Sequence, residues 1–316
     1  MRERNSKVAS TSDLIINEVR KVIHGKDEVI KLTLCAILAG GHVLLEDIPG
    51  VGKTTLAVSI SRALSLAYRR VQFTPDVMPG DLIGFNMYDK ASGQFRFQPG
   101  SIYTNLFLAD EINRTSPKTQ SALLEAMEER HATVEGVTRL MPEPFFVLAT
   151  ENPFGSSGTQ KLPESQLDRF MICLSMGYPD FENAVAVLKG DSANDMNTVR
   201  AVADTGMILS MQAEVKALFV DDSIFEYIVK LTEMTRDPQY FALGLSPRGS
   251  IALLKMAKAH AYVQDRGYVL PEDIQDIWHA VAGHRVRLGG PAKASGISVT
   301  EALNRVLGQV EIPKIN

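Results

Sequence analysis

Residues 46–55 read Glu-Asp-Ile-Pro-Gly-Val-Gly-Lys-Thr-Thr and stand between the apolar run Val43-Leu44-Leu45 and a stretch of helical periodicity. A strand, a glycine-bearing loop closing in Gly-Lys-Thr and a helix constrain the fold more than any other segment. A phosphate-holding loop of this kind is built where a strand feeds the N-terminus of a helix. Gly50 and Gly52 let backbone N–H groups turn inward, and the helix start offers unpaired donors with partial positive charge. Lys53 would reach the β- and γ-phosphates and the Thr54 hydroxyl would join a Mg²⁺ shell, with Pro49, Val51 and Thr55 completing the loop. Strict G-x-x-x-x-G-K-[ST] spacing asks for glycine at position 47, where this chain has Asp47. The loop therefore needs support from the rest of the chain.

Short β-type runs alternate with helical patterns up to about residue 175, which predicts a parallel sheet flanked by helices. The expected strands are Val43–Glu46, Arg70–Phe73, Asn105–Ala109, Phe145–Thr150 and Met171–Ser175. Leu56, Ala57, Ile60 and Leu64 share one face of the helix after the loop. A second helix is expected to open with Ser116 as N-cap and Pro117 at its first position. Two hairpins interrupt the pattern, one around Ser92-Gly93 and one around Glu135-Gly136. Each reads either as surface decoration or as an insertion between core strands.

Beyond residue 180 the β signal fades. Asp191–Asn197 reads as a polar loop; Ile251, Leu254, Ala257 and Ala261 form one helical stripe, and Ile274, Ile277, Trp278 and Val281 form another behind Pro271-Glu272-Asp273. The expected organisation is an α/β nucleotide-binding domain over 1–180, N-terminal helices included, and a small all-α lid domain over 181–316. Composition fits a chain that buries two cores: 316 residues, 45% apolar and 22% charged. A net charge of −4 argues against a broad nucleic-acid footprint. There is no apolar run of about 18 residues to span a membrane and no secretory h-region after Met1. Cys35 and Cys173 lie in apolar surroundings and are expected to be free thiols in a cytoplasmic protein.

Hydrolysis needs more than a phosphate cradle. Leu106-Phe107-Leu108-Ala109-Asp110-Glu111 reads as a buried strand delivering two acids at its end: Asp110 for the Mg²⁺ shell and Glu111 to polarise the attacking water. The strand Phe146–Thr150 ends in Glu151-Asn152-Pro153, where Asn152 either orients that water or begins an Asn-Pro turn. Arg169, just before the last strand, is either a surface ion-pair partner or an arginine finger for a neighbouring subunit's γ-phosphate.

The order of these elements resembles an AAA+ ATPase, and the wording resembles the MoxR family. The phrases that carry this are Gly41-His42-Val43-Leu44-Leu45-Glu46, Phe73-Thr74-Pro75-Asp76, Asp110-Glu111-Ile112-Asn113-Arg114, Leu123–Glu129, Leu167-Asp168-Arg169-Phe170 and Ser246-Pro247-Arg248. The resemblance runs from about Val22 to the end of the chain, and in that family Asp at the position of Asp47 is a familiar variant. It implies an ATP- and Mg²⁺-dependent, hexameric ATPase with Asn152 as sensor 1, Arg169 as arginine finger and Arg248 as sensor 2, in cis or in trans. It implies that the hairpins are the helix-2 insert and the pre-sensor-1 hairpin, which tend to face the ring centre or the client. Gly25, after His24, resembles the segment along the adenine, and a helix-ending glycine reads as well. Such ATPases remodel protein clients, often with von Willebrand factor A-type partners. A nucleic-acid motor of helicase or loader type is the alternative, with Arg96, Arg130 and Arg139 near the hairpins. Two positions depart from the family pattern: Glu151, where Gln often stands, and Leu245, where a small residue is usual.

Overall fold

The computed structural model describes residues 2–153, 161–189 and 196–314. Helices α1 (Arg2–Arg20) and α2 (Asp27–Leu38) precede strand β1 (Val43–Glu46), which leads through the glycine-bearing loop into α3 (Lys53–Ala63). Then come β2 (Tyr68–Gln72), the short α4 (Pro79–Ile83), the hairpin β3 (Phe85–Asp89) and β4 (Gln94–Gln98), and β5 (Leu106–Asp110). Helix α5 (Pro117–Glu129), the hairpin β6 (His131–Val134) and β7 (Val137–Leu140), and β8 (Phe146–Glu151) come next. A short α6 (Glu164–Leu167) and β9 (Ile172–Leu174) complete the first part, and α7 (Phe181–Lys189) opens the second. The second part continues with α8 (Thr205–Lys216), α9 (Asp222–Met234), β10 (Phe241–Leu243), α10 (Pro247–Val263), α11 (Pro271–Ala282), β11 (Arg287–Leu288), α12 (Gly290–Ala294) and α13 (Val299–Gln309).

Five strands pair in parallel in the order β2-β5-β8-β1-β9. Period-two alternation splits their side chains between two apolar cores, as expected of a sheet covered on both faces. Val43, Leu45, Leu106, Leu108, Phe146 and Leu148 join α1, α2, α3 and the C-terminal helices on one side. Leu44, Phe107, Ala109, Val147 and Ala149 meet Leu123, Leu124, Ala126 and Met127 of α5 on the other. Ser116 caps α5 by accepting the Thr119 N–H at 3.3 Å, and Pro117 occupies the first turn, where its missing donor costs nothing.

The C-terminal part departs from the all-α expectation by one small antiparallel pair, β10 with β11. These strands of three and two residues are too short to carry a readable alternation. On α10 the buried residues include Ala252, Leu253, Met256, His260 and, from the expected stripe, Ala257 and Ala261; Leu254 packs against the core half-buried, and Ile251 is half exposed. The helix packs on several neighbours at once, and one buried position is a polar residue, His260, whose Nδ1 lies 2.7 Å from Asp273 Oδ1. Asp273, read from sequence as a favourable N-terminal charge, is itself buried; it caps α11 by accepting the Leu270 N–H at 2.8 Å and pairs with Arg266. Both cysteines are free thiols. The Asp191–Asn197 loop lies, but for its last two residues, outside the described residues. Among the described residues no helix is long and apolar enough to cross a membrane.

Parallel register sets Glu46 of β1 beside Glu151 of β8 at the C-terminal edge of the sheet. Burial and the Glu46 charge hold the Glu151 carboxyl up to about 7. Between its ordinary value near 4.5 and about 7, the folded chain keeps a proton that the unfolded chain has released. This group therefore removes stability as pH rises through that window, and the loss is complete above it. Glu151→Gln is expected to stabilise the protein by roughly 1–3 kcal/mol at pH 8 and by little at pH 5. Urea denaturation at both pH values checks this; an equal gain at each would place the effect in packing, not charge.

Candidate functional site

The loop between β1 and α3 takes the backbone shape its glycines permit. Gly50 has φ +86° and Gly52 φ +96°, conformations that a side chain would strain. No side chain caps α3 at Gly52, so the N–H groups of its first turn are left for an anion. A cleft of about 390 Å³ opens there, walled by Pro49, Gly50, Gly52, Lys53, Thr54 and Thr55 on the loop side. Arg70 and Gln72 of β2, Asp110 of β5 and Glu111 form the facing wall. Val51 turns away and packs against the core.

Asp47 explains why glycine is absent from the first position of the motif. Its carboxylate is buried and accepts hydrogen bonds from Met176 N (2.5 Å), Gly177 N (2.9 Å) and Ser175 Oγ (3.1 Å) on one oxygen, and from Ile48 N (3.1 Å) on the other. Four donors make a buried anion tolerable. The Asp47 carbonyl accepts Lys53 Nζ at 2.7 Å. Burial lowers the Lys53 ammonium's pKa, while the Asp47, Asp110 and Glu111 charges pull it back up.

Asp110 and Glu111 are held by partners that sequence reading missed. Asp110 Oδ2 accepts Arg70 Nη2 at 2.6 Å, and Oδ1 accepts the Thr150 hydroxyl at 2.7 Å. That same hydroxyl oxygen accepts the Glu111 N–H at 2.8 Å, so Thr150 ties both acids to β8. Glu111 has φ +58°, a left-handed turn costing roughly 1–2 kcal/mol for a residue with a Cβ, which swings its side chain out of the strand line. Its Oε2 accepts both Gln72 Nε2 (2.8 Å) and Arg114 Nη1 (2.6 Å). Arg70 and Gln72 sit two residues apart on β2, a hint of a shared face. Only the pairing of Gln72 with Asp110 places that face in the cleft.

The remaining sequence-derived candidates lie outside this cleft's lining. Asn152 comes directly after β8 and its carbonyl accepts Asn113 Nδ2 at 3.3 Å. Gly25, at φ +68°, approaches Asn183 so closely that a Cβ would come 2.8 Å from its Nδ2. Arg169 and Arg248 converge on a single carboxylate, Glu128 of α5. Arg248 is hydrogen-bonded to Glu128 Oε1; Arg169 Nε lies 3.3 Å from Oε2, close enough for an ion pair yet not aligned as a hydrogen bond. Arg169 also lines a second cleft of about 420 Å³ with Glu125, Glu129, His131 and Gln166. The adjoining Asp168 is latched from the C-terminal part by Ser246 Oγ and by Arg285 Nε, each donating at 2.8 Å. Arg285 is buried and also donates to the Met171 carbonyl at 3.0 Å. Sequence reading does not single out Glu128, Ser246 and Arg285 as a connected set.

Comparison with known proteins identifies the family. Residues 42–172 match the model of the ATPase family associated with various cellular activities (AAA), and residues 233–306 match the AAA lid domain. The chain is 44% identical to the protein YeaC of Bacillus subtilis over 94% of its length and 93% of that protein's. It is 37% identical to the chaperone MoxR1 of Mycobacterium tuberculosis, covering 97% of this chain and 83% of that one. It is 31% identical to protein MoxR of Methylorubrum extorquens, covering 86% of each. A crystal structure of a candidate ATPase from Cytophaga hutchinsonii superimposes with a TM-score of 0.91 at 36% identity, over 99% of this chain and 98% of that one. The chain belongs to the MoxR family of AAA+ ATPases.

Proposed function

We propose that this protein hydrolyses ATP with Mg²⁺ in an assembly of identical subunits, and that the work is done on a protein client. The observation that carries this reading is a division of labour. Lys53, Asp110 and Glu111 face one cleft, while Arg169 and Arg248 meet on Glu128, outside its lining. An arginine finger positioned in this way serves a neighbouring copy, and the family resemblance gives six as the number of copies.

Each residue at the cleft has a chemical task. The α3 N-terminus and Lys53 bind the phosphates. Glu111 is the base for the attacking water: Gln72 and Arg114 both hold its Oε2, and among the described residues no hydrogen bond engages Oε1. Thr54 and Asp110 both line the cleft and offer the hydroxyl and carboxylate oxygens that a hard cation takes. Mg²⁺ held there would neutralise charge developing on the phosphates. Asn152, one residue past β8, would report on that water and Gly25 would lie along the base, the roles that the family resemblance implies. The hairpin β3–β4 exposes Tyr88 and Phe95 on one face and Phe85 and Met87 on the other, apolar surface suited to a client segment, and the family resemblance adds von Willebrand factor A-type proteins as partners.

Glu111→Gln is expected to bind ATP and to turn over about 10²–10⁴-fold more slowly. Arg169→Ala is expected to bind ATP within about threefold of the parent and to lose turnover by at least 10²-fold. Calorimetric binding together with phosphate release checks both; parental turnover in either variant contradicts the assigned role.

A further inference from the structure

The phosphate loop and the chain leaving β9 share one residue. Asp47 gives its carbonyl to Lys53 and its carboxylate to the backbone of Met176 and Gly177 and the hydroxyl of Ser175. Its own N–H donates to the Glu151 carbonyl at 3.0 Å, so the residue is fixed to the sheet on one side and to the outgoing segment on the other. Gly177 turns there with φ +60°, and the Tyr178 carbonyl accepts Lys26 Nζ at 2.8 Å. The segment then enters α7, opened by Asp180 Oδ1 accepting the Asn183 N–H at 2.8 Å. Glycine at position 47 could supply the carbonyl but none of the carboxylate bonds.

We propose that Asp47 is a positioning residue that couples phosphate occupancy of the loop to the segment leading into the C-terminal helices. This rests on the cleft being a nucleotide site. A phosphate draws the Lys53 ammonium from the Asp47 carbonyl. The Asp47 carboxylate then leans more on its own donors, the Ile48 N–H beside it and the two N–H groups and hydroxyl of residues 175–177, and that strap tightens. Coupling of this kind is reciprocal: whatever nucleotide adds to the strap, the strap adds to nucleotide affinity. Motif matching alone predicts the opposite, that glycine at position 47 would restore a better phosphate loop.

Hydrogen exchange at the amides of Met176 and Gly177 tests this, with and without the Mg²⁺ complex of the β,γ-imido analogue of ATP, alongside calorimetric affinity. In the parent the analogue is expected to slow exchange at both amides by at least fivefold. In Asp47→Gly, exchange there is expected to be at least tenfold faster, the analogue's effect at these amides to vanish, and affinity to weaken by about the factor lost. Asp47→Asn keeps one acceptor oxygen and is expected to fall between; it decides the matter together with the parent if the glycine variant does not fold. A parent that binds the analogue with no change at either amide overturns the coupling alone. So does a folded Asp47→Gly with parental affinity. A parent that binds no analogue overturns both the coupling and the nucleotide site beneath it.

Discussion

Parallel pairing of β8 with β1 on one side and β5 on the other is the constraint on which the remainder rests. Strands that satisfy their backbone groups in one register end together, so the residues at and just past their C-terminal ends gather along a single edge. Asp47 comes directly after β1, Asp110 closes β5 with Glu111 after it, and Glu151 closes β8. Two apolar cores fix that register, because a one-residue slip would exchange the side chains of Leu44 and Leu45, or of Phe107 and Leu108, between faces. The polar ties at the edge then refine the alignment. Thr150 links both acids of β5 to β8, and Asp47 links the loop to the chain beyond β9.

The arginines are governed by a different balance. Arg169 and Arg248 share Glu128 at a partly exposed position, with side chains between 30% and 43% accessible. Exposed ion pairs contribute little, about 0–1 kcal/mol each. A polyphosphate carrying several negative charges can therefore displace Glu128 at small cost. The backbone bearing Arg169 is held much more firmly, since Asp168 is fixed by Ser246 and by the buried Arg285. Firm backbone with a loosely paired guanidinium tip fits the role proposed above for Arg169 toward a neighbouring copy.

Much of the sheet was legible because strand alternation and the loop chemistry are local properties. Val43-Leu44-Leu45 before Gly-Lys-Thr, and Ser116-Pro117 before α5, announce their elements within a few residues. Features that depend on register or packing were not legible. Arg70 and Gln72 enter the cleft only because β2 lies beside β5, and Glu128 gathers two arginines that are 41 and 120 residues away. The stripe read on α10 holds at Leu254, Ala257 and Ala261 and fails at Ile251, while the buried face takes in a paired histidine, His260, that hydrophobic periodicity does not mark. At position 47 the sequence showed only a departure from glycine; the carboxylate's partners at 175–177 lie across the sheet edge, beyond the reach of any motif.

A shared site is the central claim, and a mixing experiment tests it most directly. Lys53→Ala disables the loop of a subunit that keeps its arginines, and Arg169→Ala removes the finger from a subunit that keeps its loop. Each alone is expected to be inactive in ATP hydrolysis. Co-assembled, an intact loop comes to face an intact Arg169 from the adjacent copy, and turnover should return to a substantial fraction of the parent's. Mixed assemblies that remain as inactive as either variant would contradict the claim and return Arg169 to the role of a surface partner of Glu128.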